Sequence, residues 1–293
     1  MENKENMNGN KNEKTGLVLE GGGLRGIFTA GVLDFFLEKN IEFDGCIGVS
    51  AGSCHACSYL SKQYKRAFNV SVDYLDDKRY CSMHSLITTG DLFGVDFVYG
   101  EIPDKLNPID NETFMKSRTK FQAVITNCRT GEAEYPEVKD FNTDTVYIRA
   151  SSSLPFLSKM VKINGELYLD GGVSDSIPIK KSIENGNIKN VIIMTRDKKY
   201  RKKQSKLGKI SAIRYKKYPK FVELMNTRFS RYNEILEYIY ELERQGKVFI
   251  IQPETPLNLG RIEKNKEKLT NVYNIGYEQA KKQYDALMEY LSK

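Results

Sequence analysis

The chain has 293 residues, 40% of them hydrophobic and 28% charged, a balance that excludes a disordered, collagenous or disulfide-stapled protein. The 45 Lys and Arg outnumber the 38 Asp and Glu and leave +7; such a surplus either serves solubility alone or points to an anionic partner. Only two histidines occur, His55 and His84, which argues against a histidine-rich metal site and constrains any Ser-His-Asp arrangement.

No run approaches about 18 consecutive apolar residues, so no transmembrane helix is expected. Residues 1–14 are rich in Asn, Lys and Glu. They lack the apolar centre of a signal peptide and read as a short disordered lead-in. The cysteines Cys46, Cys54, Cys57, Cys81 and Cys128 are odd in number and lie mostly in apolar runs, which suits reduced thiols in a cytoplasmic protein.

In chain order, residues 16–20 form a short apolar run ending in glycines, a buried strand. Residues 27–38 carry apolar side chains at helical spacing. Residues 43–49 read as a second strand and 51–63 as a second helix. This alternation argues for an α/β fold with a mostly parallel sheet and helices on its faces. Residues 73–108 show no clear period and read as an irregular insertion bordering a cleft. Strand character resumes at 121–128, and 145–152 reads as a helix. Asn164-Gly165 between two apolar runs is a hairpin signal, because both residues tolerate positive φ. Residues 179–184 suggest a helix and 191–195 a buried strand. Two long amphipathic helices are expected around residues 221–242 and 269–291, with a last strand at 248–252 between them.

Three short features carry chemistry. Gly21-Gly22-Gly23-Leu24-Arg25-Gly26 lies between a strand and a helix. Its glycines bare amide N–H groups at a helix N-terminus, where negative charge is stabilised, whether a phosphate or a reaction oxyanion. The spacing also fits a dinucleotide loop, and a plain tight turn would need the same glycines. Gly48-Val49-Ser50-Ala51-Gly52 is a nucleophile-elbow pattern, in which small neighbours permit a sharp turn that exposes the serine. Asp170-Gly171-Gly172 is either a turn or a carboxylate set where glycines allow close approach.

A serine nucleophile needs a base. No histidine follows His84; His55 sits on the helix that carries Ser50 and points away, and His84 stays a formal alternative. The economical reading is a Ser50–Asp170 dyad in a partly desolvated site, which raises the basicity of the carboxylate. Cys54-His55-Ala56-Cys57 reads as packed core thiols rather than a metal or redox site.

Together the three features, in this order, resemble the patatin-like phospholipase family, over roughly residues 15–195. Ala150-Ser151-Ser152-Ser153-Leu154-Pro155 resembles the family's small-residue helix end, and Tyr273-Asn-Ile-Gly-Tyr277 resembles the tail of some bacterial members. The resemblance implies a three-layer α/β/α catalytic domain over 15–195 and a basic, helical extension over 196–293 packing on it. It implies a serine lipid acyl hydrolase of the phospholipase A or acylglycerol esterase type, acting through an acyl-enzyme. Ser50 would be the nucleophile and Asp170 the general base. The amides of Gly21 to Gly26, especially around Gly22 and Gly23, would form the oxyanion hole, with Arg25 mainly shaping that loop. Gly48, Val49, Ala51, Gly52, Gly171 and Gly172 complete the motifs. No metal or cofactor is implied.

Residues 196–220, from Arg196 to Lys220, hold 12 Lys or Arg and a single acid, interleaved with Tyr200, Tyr215 and Tyr218. Such a block is a solvated face or, beside the active-site rim, a peripheral contact with an anionic membrane. Nucleic-acid binding is disfavoured, since no recognition module accompanies the charge. The competing functions are a transacylase of the same fold, a nucleotide-binding protein using the Gly-rich loop, and a lipid-surface protein without catalysis. The lipid head group and the oligomeric state are not legible.

Overall fold

A computed structural model describes residues 13–293; residues 1–12 of the expected lead-in lie outside the described residues, and Lys14 already opens the first strand. The strands are β1 (Lys14–Leu19), β2 (Gly45–Val49), β3 (Lys120–Asn127), β4 (Ala133–Glu134), β5 (Val161–Ile163), β6 (Glu166–Asp170), β7 (Asn187–Ile193) and β8 (Val248–Ile251). They form one sheet in the order β5-β6-β3-β2-β1-β7-β8, with β4 paired to β3. The run from β3 to β8 is parallel, and β4, β5 and β6 add antiparallel pairs at one side.

The helices are α1 (Ile27–Glu38), α2 (Ala51–Leu60), α3 (Arg66–Val72), α4 (Met83–Thr89), α5 (Asn111–Lys116), α6 (Phe141–Ser152), α7 (Ile179–Glu184), α8 (Gly208–Arg214), α9 (Pro219–Arg244), α10 (Lys266–Lys282) and α11 (Tyr284–Ser292). Side chains alternate across β1, and the core divides accordingly. Leu17 and Leu19 pack with Ile27, Phe28 and Leu269 of α1 and α10. Val18 packs on the other face with Ile179 of α7 and Leu236 and Ile239 of α9. Covered on both faces, the central strands are continuous apolar runs. The result is the expected three-layer α/β/α arrangement with C-terminal helices.

The C-terminal residues are integral to these layers. β8 extends the sheet beyond β7 in parallel. α10 lies on α1 with the backbones almost touching. A Cβ at Gly31 would stand 2.1 Å from the Tyr273 carbonyl oxygen, and one at Gly276 would stand 2.1 Å from that of Phe28. The Tyr273 hydroxyl donates to the buried Asp34 carboxylate at 2.7 Å across the same contact.

Three expectations change. Residues 73–108 contain α4 and a π-type helix over Phe97–Leu106. α4 spans under two turns, too short to show a period; its marks are the Ser82 cap, which accepts from the Ser85 amide, and Gly90 at φ 82°. The helix expected at 145–152 begins at Phe141, after Asp140 caps the Asn142 amide. The last amphipathic helix breaks at Gln283 into α10 and α11. The break lets α11 dock on the far edge of the sheet, where the Tyr290 hydroxyl accepts from the Asn190 amide and donates to the Lys247 carbonyl.

Gly276→Ala is expected to destabilise the fold by about 1–3 kcal/mol through overpacking against backbone. Gly100, with nothing within 4 Å of its Cβ position, supplies the control: Gly100→Ala is expected to stay within about 0.5 kcal/mol. Urea denaturation midpoints read both.

Candidate active site

The carboxyl ends of β1, β2 and β7 lie on one side of the sheet, and the antiparallel β6 sets its last residue, Asp170, opposite Ile125 in the carboxyl half of β3, so the three sequence features meet there. Ser50 follows β2 and caps α2 with φ 54° and ψ −123°. For a non-glycine residue this backbone costs about 1–3 kcal/mol. The neighbouring glycines hold it. A Cβ at Gly48 would come within 2.7 Å of the Ser53 backbone, and one at Gly52 within 2.7 Å of the Leu19 carbonyl oxygen. The Ser50 amide donates to the Ser151 hydroxyl at 2.9 Å, and Ser53 and Ser151 share a hydroxyl contact of 2.9 Å. The small-residue end of α6 is thus the brace of the elbow.

The Gly-rich loop wraps the same point. Gly21 has no room for a Cβ because Ser50 Cβ and the Val49 carbonyl oxygen would lie 2.9 Å away. Gly23 sits at φ 58° with the Arg261 carbonyl oxygen 2.6 Å from its Cβ position. The Leu24 amide donates to that carbonyl at 3.0 Å, while among the described residues no such bond occupies the amides of Gly21, Gly22 and Gly23. Of the expected oxyanion donors, Leu24 is therefore already engaged. Arg25 is buried, and its Nε has no hydrogen-bond partner among the described residues.

Asp170 ends β6 and is 3% exposed. Its Oδ1 accepts from the Gly172 amide at 2.7 Å, and its Oδ2 is buried without a hydrogen-bond partner among the described residues. Gly171 is pressed against the Val124 carbonyl, 2.1 Å from a built Cβ. Gly172 leaves room for the Arg228 guanidinium, 2.9 Å from its Cβ position. Burial pushes the Asp170 carboxyl up from the ordinary range; Arg228, the adjacent Ser50 hydroxyl and the Gly172 amide act in the opposite direction.

Two cavities meet at Ser50. One is polar and is lined by Gly21, Gly22, Asp170 and a group of cationic side chains. The other is apolar, running between Leu24, Val70, Val98, Ile102 and Ile148. The segment 73–108, expected to border a cleft, supplies Tyr80, Phe93, Val98 and Tyr99 to this apolar wall. His55 also faces it, and burial lowers its imidazole to about 4, so it is neutral at physiological pH. His84 stands exposed on α4, away from both cavities. Cys57 is buried, and Cys54 Sγ lies 3.3 Å from the Ser152 hydroxyl.

Sequence reasoning missed Glu20, Arg228 and Arg261. Glu20 is buried where β1 ends and accepts from the Thr195 amide at 2.6 Å and the Tyr232 hydroxyl at 2.6 Å. It ties β1, the end of β7 and α9 together beneath the Gly-rich loop. A charged residue closing an otherwise apolar strand was the one local signal for it. Arg228 and Arg261 have none, since they reach the site only through tertiary folding.

Ser151→Ala removes the acceptor of a buried amide. The expected loss is about 1–3 kcal/mol, measured by denaturation, accompanied by weaker reaction of Ser50 with a fluorophosphonate.

Comparison with known proteins places the chain in a family. A model of patatin-like phospholipases matches residues 17–182, and one of a domain of unknown function (DUF6363) matches residues 218–292. The chain is 28% identical over 254 residues to the protein named "Uncharacterized protein YjjU" of Escherichia coli, covering 83% of this chain and 69% of that protein. It is 24% identical over 285 residues to "Probable lipid hydrolase 463L" of Invertebrate iridescent virus 6, covering 90% and 87%. It is 28% identical over 191 residues to "Lysophospholipase NTE1" of Candida albicans, covering 62% of this chain and 13% of that much longer protein. The family match spans more than half of the chain, which belongs to the patatin-like phospholipase family and is a hydrolase of ester bonds.

Proposed function

We propose that the chain is a serine lipid acyl hydrolase in which Ser50 is the nucleophile and Asp170 the general base. The observation that carries this reading is the pairing of a strained, glycine-bounded Ser50 with an unpartnered Asp170 oxygen in one cavity. Ser50 Oγ attacks the ester carbonyl carbon as its proton passes to Asp170. The carbonyl oxygen becomes an oxyanion within reach of the free amides of Gly22 and Gly23, where fixed donors stabilise developing charge. The C–O bond of the ester then breaks, and the proton on Asp170 goes to the leaving alcohol. Water, deprotonated by Asp170, attacks the acyl-Ser50, the acyl C–Oγ bond breaks as the proton on Asp170 returns to Ser50, and the fatty acid departs. The N-terminus of α2 also favours an oxyanion at Ser50. The apolar cavity suits an acyl chain, since its walls are aliphatic and aromatic.

A dinucleotide reading of the Gly-rich loop is less well supported. The glycines at 21, 22 and 23 are filled from within by Ser50, Thr195 and Arg261, so their small size is already accounted for by packing around the serine.

The surface beyond the site favours contact with an anionic lipid interface. α8 and its flanks expose Leu207, Ile210 and Ile213 among Lys203, Lys206, Lys209, Lys216 and Lys217. Apolar side chains interleaved with lysines match a headgroup layer, where each exposed cation contributes about 1 kcal/mol. Among the described residues, no helix is long and apolar enough to cross a membrane.

Ser50→Ala is expected to abolish fatty-acid release from a mixed lipid extract and covalent labelling by a fluorophosphonate, both read by mass spectrometry. Continued release would remove Ser50 from the mechanism. Asp170 works deprotonated, and burial raises its pKa, so kcat/KM should fall on acidification at a pH above the ordinary aspartate range. Arg228→Gln withdraws a charge that favours the ionised form and should move that acid limb to higher pH.

Ile210→Glu with Ile213→Glu should weaken sedimentation with phosphatidylglycerol vesicles. Turnover of a short, monomeric ester should stay unchanged, because neither residue lines either cavity.

A further inference from the structure

The polar cavity beside Ser50 carries more positive charge than its chemistry requires. Arg25, Arg196, Lys202, Arg228 and Arg261 line it, against the two carboxylates Glu20 and Asp170. Among the described residues, none of these five cations makes an ion pair within 4 Å. Glu20 is engaged by Thr195 and Tyr232 instead.

Two of the cations rest on ring faces, which leaves their donors unspent. The Arg196 guanidinium stands 4.4 Å from the Tyr200 centroid, and Lys202 Nζ stands 4.3 Å from that of Tyr232. The buried Nε atoms of Arg25 and Arg228 have no acceptor among the described residues. Burial and the neighbouring Arg228 and Arg261 push the Lys202 amine down to about 7. Like charges gathered out of water without partners are costly, and a bound anion would remove that cost.

We infer that this cavity is a phosphate-headgroup site, read mainly by Lys202, Arg228 and Arg261, and that the preferred substrates are acyl esters bearing an uncompensated anionic phosphate. This rests on the reading of Ser50 as nucleophile. The acyl carbonyl lies at Ser50 between the cavities, the chain enters the apolar one, and the phosphate enters the cationic one. A phosphocholine headgroup brings its own cation into a cavity already lined by five, and a neutral glyceride leaves them unpaired. Four of the five cations come from residues 196–261, beyond the segment that holds the nucleophile and base. The C-terminal part of the chain therefore sets headgroup choice, while the N-terminal part performs the ester chemistry.

The test uses three single-chain esters with the same acyl group, below their micelle concentrations: a monoacylglycerol, a lysophosphatidylcholine and a lysophosphatidate. The full-length wild type is compared with Lys202→Met. Arg228 and Arg261 are left intact because both also act on Asp170. Wild type should favour the lysophosphatidate by about tenfold or more in kcat/KM. The variant should lose about tenfold or more on that ester, chiefly through KM, with a much smaller change on the monoacylglycerol. Equal wild-type rates on all three, or an equal loss on all three in the variant, would overturn the proposal.

Inorganic phosphate separates a lipid headgroup from a free ion. Competitive inhibition against the lysophosphatidate, weakened in the variant, supports the headgroup site. Altered turnover of the monoacylglycerol without headgroup preference would make the site one for free phosphate and overturn the substrate assignment. If wild type hydrolyses none of the three esters, the hydrolase reading fails by itself. Calorimetric titration with phosphate then judges the cavity: weaker binding in the variant supports an anion site, and identical titrations refute it.

Discussion

Everything at the functional end of this molecule depends on one crowded turn. Ser50 is held at positive φ where β2 meets α2, and the space around it is closed by backbone. Gly48 meets Ser53, Gly52 meets the end of β1, and Gly21 meets Ser50 itself. Backbone cannot move aside as a flexible side chain can, so these positions have no room for a Cβ. The strain is maintained because the parallel strands on either side fix both ends of the turn. Ser151 then secures the Ser50 amide from α6, more than 100 positions along the chain. The elbow is thus a tertiary object, although its five residues are contiguous.

The electrostatics follow from the same convergence. In a parallel sheet, the carboxyl ends of the strands face a common side, and groups from distant segments meet there. Glu20 arrives at the end of β1 and Arg196 just after β7, while the antiparallel β6 brings Asp170 level with Ile125 of β3 and Arg228 comes from α9. Burial raises the Asp170 carboxyl and lowers the Arg25 and Arg228 guanidinium groups to about 10. Each group thus keeps its charge at a cost to the fold at neutral pH, where both guanidiniums stay protonated.

The C-terminal part of the chain is built into the fold by close packing. α10 rests on α1 through two glycines whose missing side chains let the helices touch backbone to backbone, and β8 completes the sheet. The Arg261 carbonyl, in the connection between β8 and α10, holds the Leu24 amide of the Gly-rich loop. Residues far from the nucleophile in sequence therefore set the shape of the loop beside it.

Much of this was legible in the sequence, and the division has a physical basis. Strand and helix alternation, the elbow, the Asp170 turn and the Asn164-Gly165 hairpin are local: they need only a few consecutive residues with a period or an unusual φ, and the hairpin residues indeed sit at φ 49° and 87°. The scarcity of histidine is likewise a property of the sequence alone and leaves a carboxylate as the candidate base. The short α4, the π-type helix and the break at Gln283 were not legible, because too few turns show a period and because docking on the sheet edge, rather than local preference, ends α10. The cationic cavity was decided by tertiary structure alone. The basic block after β7 was visible as composition, yet only the topology of the sheet brings Arg196 and Lys202 to Arg25, Arg228 and Arg261 and leaves the other lysines and arginines of that block on the surface. Local sequence specifies which conformations a residue can adopt; which charges become neighbours depends on how distant segments are packed.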